Sequence, residues 1–166
     1  TASRSESFLT DAHGRDHVTK IELACEKDGT FIAFRTETMA NVGAYLSNFS
    51  TVTPTFLHGT LMAGNYTVPN VYVNVKAVFT NTAPVDAYRG AGRPEATYSI
   101  ERVIDMTARE LEMDPVELRR MNFVMPDQYP YSSAAVSYTI LTAPTSYPVV
   151  VSEVAGTLTQ NPCEPP

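Results

Sequence analysis

The 166-residue sequence has no tryptophan and only two cysteines, Cys25 and Cys163, far apart in segments of different character. Two such residues give neither a disulfide framework nor a metal-ligand spacing, so stapled mini-domains and cysteine-ligated zinc modules are excluded. Long apolar runs are missing as well. No stretch reaches the eighteen or so consecutive apolar residues that a membrane-crossing helix needs, so no transmembrane segment is expected. Positive charge is scarce: 12 Lys and Arg face 18 Asp and Glu, a net charge of −6, and the pI is about 5.0. That balance disfavours nucleic acid or an anionic membrane as a partner. No phosphate-binding Gly-x-x-x-x-Gly-Lys-Ser segment and no Ser-His-Asp constellation can be picked out. The first residues, Thr1 to Glu6, hold neither an initiator methionine nor a signal-type apolar stretch, so the chain is expected to be an internal piece of a longer protein.

What is present suits one folded domain, with 43% hydrophobic residues in a length that can bury a core. Ile21, Leu23 and Cys25 alternate with Lys20, Glu22 and Glu26, which predicts a half-buried strand and a buried Cys25 thiol. Lys27-Asp28-Gly29-Thr30 supplies turn chemistry, and Phe31 to Met39 is the returning strand of a hairpin. Val71 to Phe79 is the clearest strand, with Val71, Val73, Val75, Ala77 and Phe79 on one face. Behind Pro94, apolar Ala96, Ile100, Val103, Ile104, Ala108 and Leu111 recur at helical spacing and predict a long helix over 95–111. Asp114-Pro115-Val116-Glu117 reads as an N-cap, a first-turn proline and a near capping box, opening a short helix to about Met121. Residues 43–66 give no clear pattern. The fold class is α+β: a mixed or antiparallel sheet with one long and one short helix.

Composition changes after Tyr131. Residues 132–166 contain no Lys or Arg and only two acids, Glu153 and Glu164. They are expected to form an atypical tail that is out of frame or disordered, separate from a domain over 1–131.

The candidate chemistry concentrates in Asp86 to Ala96. Gly90 and Gly92 precede a helix N-terminus, where free amides and the helix dipole attract negative charge. Arg89 and Arg93 add two cations where the dipole is already positive, which is unfavourable unless an anion answers them. Glu95 is a local alternative for that answer, and a plain turn with solvent-facing arginines is the other. His13 and His17 are four apart with Asp11 and Asp16 nearby, but Gly14 and the strand beginning at Val18 argue against a helical metal pair. A structural role is expected for both. His58 has no identifiable partner in sequence. Glu110 and Glu112 read as a solvated helix end, and Tyr88 as either a packing residue or a ligand-stacking one.

The segment Ala87-Tyr88-Arg89-Gly90-Ala91-Gly92-Arg93 resembles the corresponding loop of the molybdenum hydroxylases, the family of xanthine dehydrogenase, aldehyde oxidoreductase and aerobic carbon monoxide dehydrogenase. It is most similar to carbon monoxide dehydrogenase large-subunit homologues. Arg4 to Leu9, His13 to His17, Gly43-Ala44-Tyr45, Val68-Pro69-Asn70 and Asp114 to Phe123 recur in the same order in such subunits, so the resemblance covers roughly residues 1–131. It implies a fragment of the molybdopterin-binding domain of an oxidoreductase large subunit. Arg89, Gly90, Ala91, Gly92 and Arg93 would contact the cofactor, with Arg89 and Gly90 nearest the molybdenum ligands and Ala91 facing substrate. The cofactor implied is molybdopterin cytosine dinucleotide with molybdenum, and the partners are an iron–sulfur small subunit with [2Fe–2S] clusters and an FAD medium subunit. The reaction implied is hydroxylation of an aldehyde or N-heterocycle, or oxidation of carbon monoxide, with oxygen taken from water. Copper-containing relatives carry cysteine where this chain has Gly90, so copper is not expected. The family's catalytic glutamate and its Gly-Gly-Phe-Gly cofactor loop would lie outside the 166 residues, leaving no catalytic residue within them and an inert fragment. Localisation would be cytoplasmic. The rival reading from the residues is a stand-alone, non-catalytic α+β module that binds anions or a protein.

Overall fold

A computed structural model describes residues 1–129, 131–132 and 137–138. The elements in chain order are helix α1 (Arg4–Thr10), strands β1 (His17–Cys25) and β2 (Phe31–Gly43), and a π-helical segment Val52–Leu57 that runs into a single α-turn, α2 (His58–Thr60). Strand β3 (Asn70–Phe79), helices α3 (Arg93–Glu110) and α4 (Pro115–Asn122) and a 3-10 turn (Pro126–Gln128) follow, then a two-residue pairing of β4 (Tyr131–Ser132) with β5 (Ser137–Tyr138). The sheet has the order β1-β2-β3, with β1 antiparallel and β3 parallel to the central β2. It is therefore mixed. None of the helices among the described residues is long and apolar enough to cross a membrane.

The hairpin forms where the sequence places it. Asp28 accepts from the Thr30 amide (2.9 Å), and Glu26 and Thr30 close the turn through their backbones. Its tip is tied down from α4, where Asn122 accepts from the Phe31 amide (2.8 Å) and donates to the Gly29 carbonyl (3.0 Å). Strand β2 continues four residues past the predicted Met39. Cys25 is half-buried rather than fully so, packed at the margin of the core with its thiol pushed up by burial. Cys163 lies outside the described residues.

Helix α3 begins two residues earlier than the apolar pattern suggests, so Pro94 is its second residue rather than its first. The displaced start costs nothing, since an N–H at the second helical position would also lack an intrahelical acceptor. Its far end closes with the Met113 amide on the Ala108 carbonyl (2.9 Å) and that of Glu112 on Arg109 (3.2 Å). This is the paired C-terminal bonding of a Schellman end, with Glu112 at φ +55°. Asp114 then caps α4, accepting from Val116 (2.6 Å) and Glu117 (3.1 Å), an interaction of about 1 kcal/mol.

The core lies between the sheet and helices α3 and α4. Phe34, Met62, Tyr66, Ile100, Ile104 and Leu118 are its largest fully buried members. The shared face of β3 enters it only in part: Val71 and Val73 pack on the core, whereas Ala77 and Phe79 are exposed. Helix α1 was not legible as a helix in the apolar pattern, because it buries no residue at all. Its signal is the capping box formed by Ser3 and Glu6.

Within residues 43–66 the helical stretch is 52–60, flanked by turns. Around it the pattern is inverted: Ser50, Thr53 and His58 are buried, while Phe49 (56% exposed) and Phe56 (65% exposed) face outward. Hydrophobic periodicity points the wrong way over 49–58, whereas Met62, Ala63 and Tyr66 beyond it join the buried residues. The expectations for residues 132–166 lie outside the described residues, apart from the short β4–β5 pairing.

Candidate functional site

Three consecutive residues with positive φ form the loop before α3: Gly90 (+97°), Ala91 (+33°) and Gly92 (+87°). Two backbone bonds fold it tightly, Ala91 N–H to the Tyr88 carbonyl (2.8 Å) and Arg93 N–H to the Gly90 carbonyl (3.1 Å). Its start is pinned at Asp86, whose amide donates to the His13 carbonyl (2.8 Å) and whose carboxylate accepts from the Phe49 amide (3.2 Å). A non-glycine residue at φ above zero is strained, and such strain clusters at ligand sites.

The two glycines are needed for different reasons. A Cβ on Gly92 would stand 2.7 Å from the His58 amide nitrogen and 2.8 Å from the Leu57 carbonyl carbon. Gly92 is buried against that backbone, so it lets the loop seat on the helical segment rather than leaving room for a ligand. A Cβ on Gly90 would meet the Pro94 ring at 2.9 Å and approach the Arg15 guanidinium at 3.6 Å. Bulk at residue 90 therefore collides with the loop's own proline first.

Arg89 and Arg93 are exposed, and neither guanidinium has a partner among the described residues. The local answer expected from Glu95 is absent. Glu95 instead turns to Arg15, with its Oε2 3.4 Å from Arg15 Nε and its side chain only 9% exposed. The Arg15 guanidinium also donates to the Arg89 carbonyl and lies over the Tyr88 ring, 5.2 Å from its centroid. Tyr88 is thus a packing partner of Arg15. Beside this pair a cleft of about 640 Å³ opens between β1 and α3, lined among others by Arg15, His17, Glu95, Tyr98 and Arg102.

The histidines pair differently from their spacing. His13 joins the backbone of Pro84 and Val85, away from His17. His17 meets His58, which the sequence left without a partner; their rings are edge to face with centroids 4.6 Å apart. His58 Nε2 is 3.3 Å from the Thr38 hydroxyl, which in turn lies 3.0 Å from that of Thr19. Burial, with His17 adding to it, pushes His58 down to about 4. Burial also lowers His17, against the opposing pull of Glu95 and Asp16. Both rings are neutral near pH 7. Among the described residues no three His, Cys, Asp or Glu side chains are grouped to hold a metal ion.

A tight glycine turn with free guanidinium groups leads into an eighteen-residue helix, an arrangement whose amides and cations attract negative charge. A profile described as the molybdopterin cofactor-binding domain matches residues 1–123, and the chain belongs to that family. It is 33% identical over 132 residues to the gamma subunit of the 6-hydroxypseudooxynicotine dehydrogenase complex of Paenarthrobacter nicotinovorans, covering 80% of this chain and 16% of that protein. Among solved structures, quinoline 2-oxidoreductase from Pseudomonas putida 86 superimposes with a TM-score of 0.80 at 28% identity, over 93% of this chain and 21% of the other. The Cu,Mo-containing CO dehydrogenase superimposes with a TM-score of 0.75 at 32% identity, over 95% and 20%. These relatives are named as dehydrogenases or oxidoreductases, and this chain spans about a sixth to a fifth of their length. The Arg89–Arg93 segment suits an anionic cofactor in charge, with free guanidinium groups beside a helix start.

Proposed function

We propose that this chain is part of the molybdenum-cofactor-binding catalytic subunit of a hydroxylase acting on an aldehyde or an N-heterocycle. When bound, molybdopterin cytosine dinucleotide with its molybdenum supplies the two-electron oxidation chemistry, using oxygen from water. Arg89, Gly90, Ala91, Gly92 and Arg93 form its contact, with Arg89 and Gly90 nearest the metal ligands and Ala91 toward substrate. The guanidinium groups of Arg89 and Arg93 answer anionic groups of the cofactor. Neutral His17 and His58 keep further positive charge away from beneath the loop. An FAD subunit and a [2Fe–2S] subunit complete the electron path. The same reading takes residues 1–131 as one partial domain and 132–166 as separate from it.

Carbon monoxide is the less favoured substrate. One CO dehydrogenase relative is named for copper as well as molybdenum, and Gly90 offers no sulfur to hold copper. Two relatives named for quinoline and 6-hydroxypseudooxynicotine support the N-heterocyclic and related aromatic class. The observation that carries the proposal is the run of positive-φ residues 90–92, seated on residues 57–58 with unpaired arginines at both ends.

Gly90→Val in the assembled enzyme tests it. The β-branched side chain cannot accept φ +97° and strikes Pro94, so the loop must move by about an ångström. Turnover should fall by about a hundredfold while the circular-dichroism spectrum and melting midpoint stay near the parent's. Unchanged turnover contradicts the loop's role.

A further inference from the structure

We propose that Arg15 is a positioning residue that fixes the glycine loop from behind, with Glu95 orienting it. This rests on the cofactor role of the loop for its functional meaning, and on geometry alone for its mechanical one. Four groups converge on one guanidinium. Arg15 donates through Nη2 to the Arg89 carbonyl, lies over the Tyr88 ring at 5.2 Å, pairs with Glu95 at 3.4 Å, and flanks Gly90, whose added Cβ would stand 3.6 Å away. The planar fork of arginine can serve a carbonyl, a carboxylate and an aromatic face together, which a lysine ammonium cannot.

The need for such a brace follows from the loop. Residues 90–92 hold three positive φ values in succession, strained at the non-glycine Ala91, and the turn is folded by two internal backbone bonds. Strain of that kind persists only when surrounding structure over-determines it. Gly92 is held below by the backbone of Leu57 and His58. Arg89 and Gly90 are exposed, and Arg15 is what reaches them from the body of the fold. Glu95 belongs to the first turn of α3, so the brace also ties the loop to the helix it precedes. Neither residue has a partner predicted by spacing, being eighty positions apart in sequence. Arg15 does not touch the cofactor in this account; it sets where the Arg89 carbonyl and Gly90 sit.

Hydrogen exchange on the full chain tests the brace. In Arg15→Ala the amides of Ala91 and Arg93 should exchange at least about tenfold faster, while those of β1, β2 and the C-terminal half of α3 keep their protection. Arg15→Lys should restore little, and Glu95→Gln should give an intermediate change. Unaltered exchange at Ala91 and Arg93 in Arg15→Ala overturns the proposal. So does a loss of protection spread over β1 and β2 in both Arg15 variants, which would make Arg15 a general stability residue. The functional half is read separately, by the Mo(V) electron paramagnetic resonance signal of the loaded complex. Arg15→Lys should shift its g-values. A loosened loop with an unshifted signal leaves the brace standing and overturns the loop's place beside the metal.

Discussion

Two polar clusters, one at the middle of α3 and one at its start, differ in how completely they are satisfied. Near the middle of the helix, Arg119 of α4 is 5% exposed and bonded on every side. It donates to Glu101 (2.8 Å), Asp105 (2.8 Å) and the Pro115 carbonyl (3.0 Å), and Glu101 accepts from the Tyr66 hydroxyl (2.6 Å). Burial, reinforced by the Glu101 carboxylate, raises Tyr66 so that it stays a donor. At the helix start, Arg15 Nε, Glu95 Oε2, both His17 nitrogens and His58 Nδ1 are buried without a hydrogen-bond partner. Arg15 and Glu95 attract each other at 3.4 Å but do not meet in hydrogen-bond geometry. Buried polar atoms are nearly always satisfied, so a cluster of exceptions calls for a reason. The closed cluster holds the helices together. The open one sits directly behind the glycine loop, 90–92.

Breaking the closed cluster should have the larger effect. Arg119→Ala strands Glu101 and Asp105 and removes a buried cation, costing about 3–5 kcal/mol in urea unfolding of the full chain. A loss below about 1 kcal/mol would mean that the two clusters do not differ in the way described.

The open cluster should answer to pH instead. His58 titrates at about 4 when folded, against an ordinary value of 6.5. The unfolded chain therefore binds more protons between those values, and stability rises with pH across that window. The stability that a neutral His58 preserves is complete above about pH 6.5 and falls by roughly 3 kcal/mol as the pH drops to about 4. His17, lowered for the same reason, adds to the same slope. Unfolding free energies between pH 4 and 7 should show a flatter slope in His58→Gln than in the parent. An identical slope would show that the pair is not the source.

The two regions also differ in how well the sequence announced them. Helices α3 and α4 and the hairpin follow from apolar spacing, Asp114 and the 27–30 turn, because each is specified within a dozen residues. The family resemblance likewise rested on contiguous runs such as Ala87 to Arg93. What escaped is long-range or inverted. The pairing of β3 parallel to β2, the contact of Arg15 with Glu95 and that of His17 with His58 join residues far apart, and no local pattern encodes them. Residues 49–58 hid for a different reason: Ser50, Thr53 and His58 are buried while Phe49, Val52 and Phe56 face out. The loop's glycines were found by motif, but their separate tasks, seating on residue 58 and clearing Pro94, became visible only with coordinates.

The central claim is that the open end of α3 receives a molybdenum cofactor and, lacking a thiol at residue 90, no copper. Elemental analysis of the purified complex containing this chain tests that most directly. It should contain molybdenum in about a one-to-one ratio to the chain, iron from the partner subunit, and no stoichiometric copper. A complex without molybdenum, or with about one copper per molybdenum, would contradict it.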